Sequence, residues 1–136
     1  VKLLKTKPDL YMFDGNGYLH PRHMGIATHA SFFVSKPTIG VAKNYYHIEG
    51  AEFILPDNYE GASTEIVKNG EIYGQVLQTH QDVKPIFISC GNWIDIETSQ
   101  KFVLEFVTKE SRLPVTTRYA DILTHKERKR LSGICK

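Results

Sequence analysis

The chain has 136 residues, 41% of them hydrophobic and 24% charged, with a formal net charge of +2. That length suits one domain rather than two, and so small a charge does not by itself point to nucleic acid. No apolar run approaches the roughly 18 residues of a membrane span. The two cysteines, Cys90 and Cys135, are too few for a disulfide scaffold or a four-thiolate zinc site, so a reducing, cytoplasmic setting is expected.

The chain begins at Val1 and its first residues read as part of a helical turn, as if cut from something longer. Asp9 to Phe13 then reads as a short apolar strand, closed by Asp14-Gly15-Asn16-Gly17 as a turn. Pro21 suits the first position of a helix, where its missing N–H costs nothing. Met24, Ala27 and Ser31 fall on one side of that helix, and Ile26, Ala30, Phe33 and Val34 on another. Residues 37–42 read as a buried parallel strand, apolar on both faces. Residues 44–62 mix Tyr, Gly, Pro and Asn and read as a loop. Ser63–Val67 and Ile72–Gln78 form a hairpin around Asn69-Gly70. Residues 85–89 give another buried strand. Asp95 opens a helix whose apolar face carries Phe102, Val103, Phe106 and Val107. Pro114 interrupts the chain, and Thr116 or Thr117 is placed to cap a last helix running to about Leu131. The order of elements is that of an α/β or α+β domain without internal repeats.

Several motifs fail on inspection. Gly15-x-Gly17-x-x-His20 lacks the third small residue of a dinucleotide fingerprint, and no acid follows about 20 residues on. A calcium loop starting at Asp14 would need Gly and Glu where Leu19 and Gly25 stand. Cys90 with Asn92 is a weak thiol-hydrolase candidate, since a cysteine at the end of a buried strand is more often plain core. The closing run Lys126, Arg128, Lys129, Arg130 and Lys136 faces one acid, Glu127. It reads first as a solvated helix end and second as a phosphate contact.

One stretch concentrates chemistry: residues 14–29, DGNGYLHPRHMGIATH. A carboxylate at a strand end can fix Mg²⁺. Glycines let a ligand approach the backbone. A helix start carrying His20 and Arg22 suits phosphate oxygens. The bland alternative is an Asx turn at Asp14, two turn-making glycines and a capping His20. The residues alone leave both open.

The pattern Asp14-Gly15-x-Gly17-x-x-His20-Pro21-Arg22-x-x-Gly25-x-Ala27-x-His29, followed by residues 37–43 (PTIGVAK), resembles endonuclease V. The resemblance continues through residues 84–91 and through Arg112-Leu113-Pro114-x-x-Thr117-Arg118-x-Ala120-Asp121, covering nearly the whole chain in order. It implies a ribonuclease H-like α/β fold, a mixed sheet flanked by helices. Residues 1–136 would be the C-terminal part of one such domain, incomplete at its N-terminus. It implies an enzyme that uses Mg²⁺, with Mn²⁺ as the alternative ion. Such an enzyme recognises a flipped hypoxanthine in DNA, or in RNA, and hydrolyses a phosphodiester bond on its 3′ side.

Carried over by position, Asp14 and Asp121 are metal-binding catalytic acids, and Lys43 contacts the phosphate near the cut. Gly15, Gly17, Ile26 and Tyr46 shape the base pocket, with His20 and Arg22 beside it. Asn92 stands where many relatives have histidine, and His23 where they have a second basic residue. An early aspartate, and a glutamate following a strand-separating wedge, have no counterpart here. The chain alone is therefore expected to be inactive, with a preceding segment as the partner that completes the fold. Two other readings stand beside this one: a non-catalytic nucleic-acid-binding or interaction module on the same fold, and an unrelated metal-dependent hydrolase.

Overall fold

A computed structural model describes residues 3–134. The predicted opening helical turn lies partly outside them. Within them, residues 3–10 form turns and bends and no helix. The elements that follow are β1 (Tyr11–Asp14), α1 (Ile26–Val34), β2 (Thr38–Ala42), β3 (Ser63–Lys68), β4 (Glu71–Leu77), β5 (Ile86–Asn92), α2 (Ile96–Glu105) and α3 (Val115–Ile134). Among the described residues no helix is long and apolar enough to cross a membrane.

The strands make one mixed sheet in the order β1-β2-β5-β4-β3. β1 and β2 are parallel, with Asp14 opposite Val41. They are joined through α1, since a parallel pair needs a crossover. β2 with β5, β5 with β4 and β4 with β3 are antiparallel. The β3–β4 turn is the predicted one. Asn69 and Gly70 both have positive φ, 52° and 79°, as a two-residue hairpin turn of matching twist requires.

Alternation along the strands divides the core in two. Ile39, Val41, Leu77, Ile86 and Ile88 face α2 and pack on Val103. Ala42, Phe87, Val76, Tyr73 and Ile66 face the other way, where Leu19 and Ile48 from loops cover them. α2 starts as read: the Asp95 carboxylate accepts the Thr98 N–H at 2.7 Å, and Val103 on its inner face is fully buried.

The structure corrects two local expectations and decides a third point, which stripe of α1 turns inward. The first helix begins at Ile26 behind an N-cap at Gly25, not at Pro21. Pro21 to His23 form a turn that ends on His23 with φ 56°. The Gly25 N–H donates to the Gly17 carbonyl at 2.9 Å and the Ala27 N–H to the Asn16 carbonyl at 3.0 Å. These contacts fix where helical geometry can begin, and no local signal shows them. Secondly, the inner face of α1 is the small, polar one: Ala27, Thr28 and Ser31 are buried, while Ile26 and Phe33 are 56% and 80% exposed. Thirdly, α3 starts at Val115, so Thr116 and Thr117 lie inside its first turn. Thr117 Oγ1 donates to the Pro114 carbonyl at 3.2 Å instead of capping.

The small face of α1 follows from the strands beneath it. A Cβ on Gly91 would lie 1.9 Å from Thr38 Oγ1, and one on Gly40 would lie 2.5 Å from the Gly17 nitrogen. The backbone after β1 therefore crosses directly over β2 at Gly40. Gly17 reaches β5, donating its N–H to Ser89 Oγ at 2.9 Å, and Tyr18 N–H reaches the Cys90 carbonyl at 2.7 Å. Thr38 Oγ1 in turn donates to the Ala27 carbonyl at 2.8 Å, fastening α1 to the same strand. Residues 15–25 are thus held as a rigid strap across one face of the sheet.

Candidate functional site

Asp14 ends β1, and Lys43 directly follows β2. Because the two strands are parallel and in register, both side chains leave the same end of the sheet. α3 passes this end and contributes Asp121. The three meet. Lys43 Nζ lies 2.6 Å from Asp121 Oδ2 and 4.0 Å from Asp14 Oδ2. The Lys43 hydrogen bond holds the Asp121 carboxyl below the ordinary carboxylate range. Side-chain exposures of 31%, 36% and 27% for Lys43, Asp14 and Asp121 leave the group open to a ligand.

Sequence reasoning missed two contributors. His125, one turn after Asp121, places Nε2 3.3 Å from Asp121 Oδ1, an i, i+4 contact that the helical spacing could have suggested. Arg112 donates from Nη1 and Nη2 to the Lys43 carbonyl at 3.3 Å, and from Nη1 to the Pro85 carbonyl at 3.1 Å. It ties the end of β2 to the start of β5, and only the fold brings those segments together.

The remaining predicted residues fall into two small groups. Ile26 lies over Gly15 so closely that a Cβ there would sit 2.7 Å from Ile26 Cγ2, and Gly15 has φ 154°. His20 stacks on Tyr46, with centroids 6.1 Å apart and planes 6° from parallel. The Arg22 backbone N–H donates to His20 Nδ1 at 3.1 Å. Gly17 is buried, and the visible reason for glycine there is the crossing onto Cys90 and Gly91. Ile26 and Tyr46, 56% and 51% exposed, are apolar surface available to a flat ligand.

Residues 1–122 match the family model described as Endonuclease V. The chain belongs to the endonuclease V family. It is 60% identical over 132 residues to the endonuclease V of Clostridium acetobutylicum, covering 97% of this chain and 56% of that relative. The crystal structure of the Bacillus subtilis endonuclease V superposes with a TM-score of 0.94 at 52% identity, over 97% of this chain and 56% of that one. The Ciona intestinalis endonuclease V, crystallised with a 24mer DNA containing an inosine followed by a ribo-adenosine, gives 0.74 at 25% identity. That match covers 92% of this chain and 56% of that one. The chain thus spans little more than half the length of the endonuclease V relatives it matches.

Against the endonuclease V pattern, the two departures in this chain have structural explanations. Asn92 Nδ2 donates to Ser31 Oγ at 3.2 Å, and its Oδ1 accepts the Trp93 N–H at 3.0 Å. It joins β5 to α1. His23 stacks on Tyr18 at 4.1 Å and lies 3.7 Å from Glu71, whose carboxylate also accepts the Tyr18 hydroxyl. The strap is thereby pinned to the β3–β4 hairpin, and the Glu71 contact pushes the Tyr18 pKa up to about 12.

Cys90 is half-buried with its Sγ 3.8 Å from Ser99 Oγ, and burial pushes its thiol pKa up. A half-buried thiol with a raised pKa is a weaker nucleophile, which counts against the thiol-hydrolase reading. The apolar cavity beside it, about 200 Å³ between Tyr18, Ile72, Tyr73 and Ile96, carries no acid. Of the basic run, Arg130 pairs with Glu127 on the exposed face of α3, and Lys136 lies outside the described residues.

Proposed function

We propose that this chain is the C-terminal part of a single endonuclease V domain. The enzyme would hydrolyse a phosphodiester bond on the 3′ side of a hypoxanthine nucleotide in DNA, or in RNA, in the service of nucleic-acid repair in the cytoplasm. The observation that carries this reading is the convergence of Asp14, Lys43 and Asp121 at one end of the sheet, beside the glycine-built strap. The inosine-containing DNA held by the Ciona relative supports the choice of substrate.

The donor set fits a hard divalent cation. Both carboxylates are directed at one cationic centre, the Lys43 ammonium. Mg²⁺ commonly takes one or two carboxylates and completes its shell with waters and phosphate oxygens. Asp14 and Asp121 would hold such an ion, with Mn²⁺ as the substitute. When bound, it lowers the pKa of a water and offsets charge on the phosphate.

The chain's own residues do the rest. Lys43 keeps Asp121 ionised while the site is free, and exchanges that contact for a phosphate oxygen when a strand enters. His125 restrains the other Asp121 oxygen, so the carboxylate keeps its direction during the exchange. Gly15 and Gly17 would give one edge of the extruded purine access to backbone, and Ile26 and Tyr46 would lie against its faces. His20 holds Tyr46 by stacking, and Arg22 stands ready for a flanking phosphate.

Among the described residues no three His, Cys, Asp or Glu side chains gather as a metal cluster. That favours a dependence on further acids from a preceding segment, seated against the free edge of β1. It equally favours a second reading, a binding module that retains the purine site without cutting. Metal titration and nicking assays on the 136-residue chain and on the full reading frame together separate the alternatives. The proposal expects weak Mg²⁺ binding and no nicking of a deoxyinosine duplex. Cutting by this chain that disappears on Asp14→Ala would show that no further acids are needed. Inosine-selective binding without metal dependence, and without cutting by the full reading frame, would establish the binding module.

A further inference from the structure

Beside Lys43, a cavity of about 230 Å³ opens between the end of β2 and the start of β5. Lys43 and Lys84 stand on it, with Tyr45, Leu55, Pro85 and Phe87 as its walls. The Arg112 guanidinium spans the carbonyls of Lys43, Lys84 and Pro85 at 3.1 to 3.5 Å, so the two lysine-bearing segments are braced together. The floor is rigid as well. Tyr45 packs edge-on against Phe53 at 4.8 Å and leans on Phe87 at 5.6 Å. Leu55 at the rim is 69% exposed. Among the described residues Lys84 makes no ion pair, whereas Lys43 is held by Asp121.

A cation beside aromatic and aliphatic walls is an arrangement by which proteins hold single strands without reading sequence: phosphate on the charge, base on the apolar face. We infer that this cavity is a sequence-neutral nucleotide subsite, taking the substrate strand just beyond the bond to be cut. Lys84 binds that nucleotide's phosphate, and Tyr45 and Leu55 carry its base. The inference rests on the cleavage reading above for its direction. Lys43 serves both places, since it bonds Asp121 and also stands on the cavity that Lys84 borders. The volume suits one base, being below the range of pockets that enclose larger ligands. The subsite would draw the strand taut across the acids and hold the product end after the cut.

The test uses the full reading frame that carries this chain and measures binding in chelator. The probes are short single strands with one inosine, ending from zero to four nucleotides on its 3′ side. Each strand has an adenine control in place of the inosine. Affinity should rise by about five- to tenfold when the nucleotide that reaches Lys84 is added. Lys84→Ala should remove most of that rise and lower the slope of log affinity against log salt by about 0.7. Lys84→Arg should keep both. Leu55→Ala on the ordinary strand should resemble the unaltered protein on a strand abasic at that position. If inosine preference is lost from every protein while the rise still depends on Lys84, base recognition falls and the subsite stands. If inosine preference is present and Lys84→Ala keeps the full rise, the subsite is overturned.

Discussion

Lys43 is the residue on which the site turns. Its ammonium lies between two carboxylates that belong to different elements, so its removal has two consequences. Asp121 loses the hydrogen bond that lowers its pKa, and a titration of labelled aspartate carboxyls should show it moving up toward about 3.9 in Lys43→Ala. Nicking by the full reading frame should fall by about 10²- to 10³-fold, as for other donors aimed at developing charge. An unmoved Asp121 would mean that the ion pair does not form in solution.

Tyr18 gives a second residue-scale check. Its pKa of about 12 reflects the Glu71 carboxylate, which favours the protonated phenol. A raised folded value stabilises the fold fully below the unfolded tyrosine pKa near 10. That contribution is lost as pH rises from about 10 through about 12. Ultraviolet titration should find one phenol at the high value, and Glu71→Gln should return it toward 10. A Tyr18 that titrates with the others would contradict the clamp between strap and hairpin.

At the scale of elements, the strap is the feature least visible in the sequence. The hairpin, the Asp95 cap and the buried strands β2 and β5 were legible, because each rests on local signals: Asn-Gly, an acid before an apolar face, an unbroken apolar run. The start of α1 was not. Pro21 is a good first helical residue, yet the helix waits for Gly25, because Gly25 must dock on the Asn16 and Gly17 carbonyls. Those partners stand eight and nine residues earlier in the chain, at a spacing that no helical or capping signal marks. The close approach of α1 to β2, where Thr38 bonds the Ala27 carbonyl, explains why its buried face is the small one.

The strap argument makes a paired prediction. Gly40→Ala should lower stability by about 1–3 kcal/mol or more, since its Cβ would meet the Gly17 backbone nitrogen and other main-chain atoms that cannot yield cheaply. Gly133→Ala, in exposed α3 with nothing near its Cβ, should be neutral or gain up to about 1 kcal/mol. Chemical denaturation measures both. Leu19→Ala should cost about 2–5 kcal/mol, because this strap residue is fully buried in the core cluster. Equal, small effects at all three positions would show that the strap is not held as described.

At the scale of the whole molecule, the sequence placed the acids and the lysine, and the fold brings those three together at one end of the sheet. Position alone could not show that Lys43 bonds Asp121 more closely than Asp14, nor that Arg112 braces the ends of β2 and β5. Both depend on how α3 and the segment before it lie across strands distant in the chain. The chain covers 56% of the length of its Clostridium acetobutylicum relative, and the proposed function assigns the further acids of the site to a preceding segment.

The most direct test is single-turnover nicking of a deoxyinosine strand with Mg²⁺ by the full reading frame, compared with its Asp14→Ala variant. The account predicts cutting on the 3′ side of the inosine, with the variant slower by at least about 10²-fold. It also predicts an inosine-strand affinity in chelator that the substitution leaves intact. Cutting at the unaltered rate by Asp14→Ala would contradict the assignment of the catalytic site to the Asp14, Lys43 and Asp121 cluster.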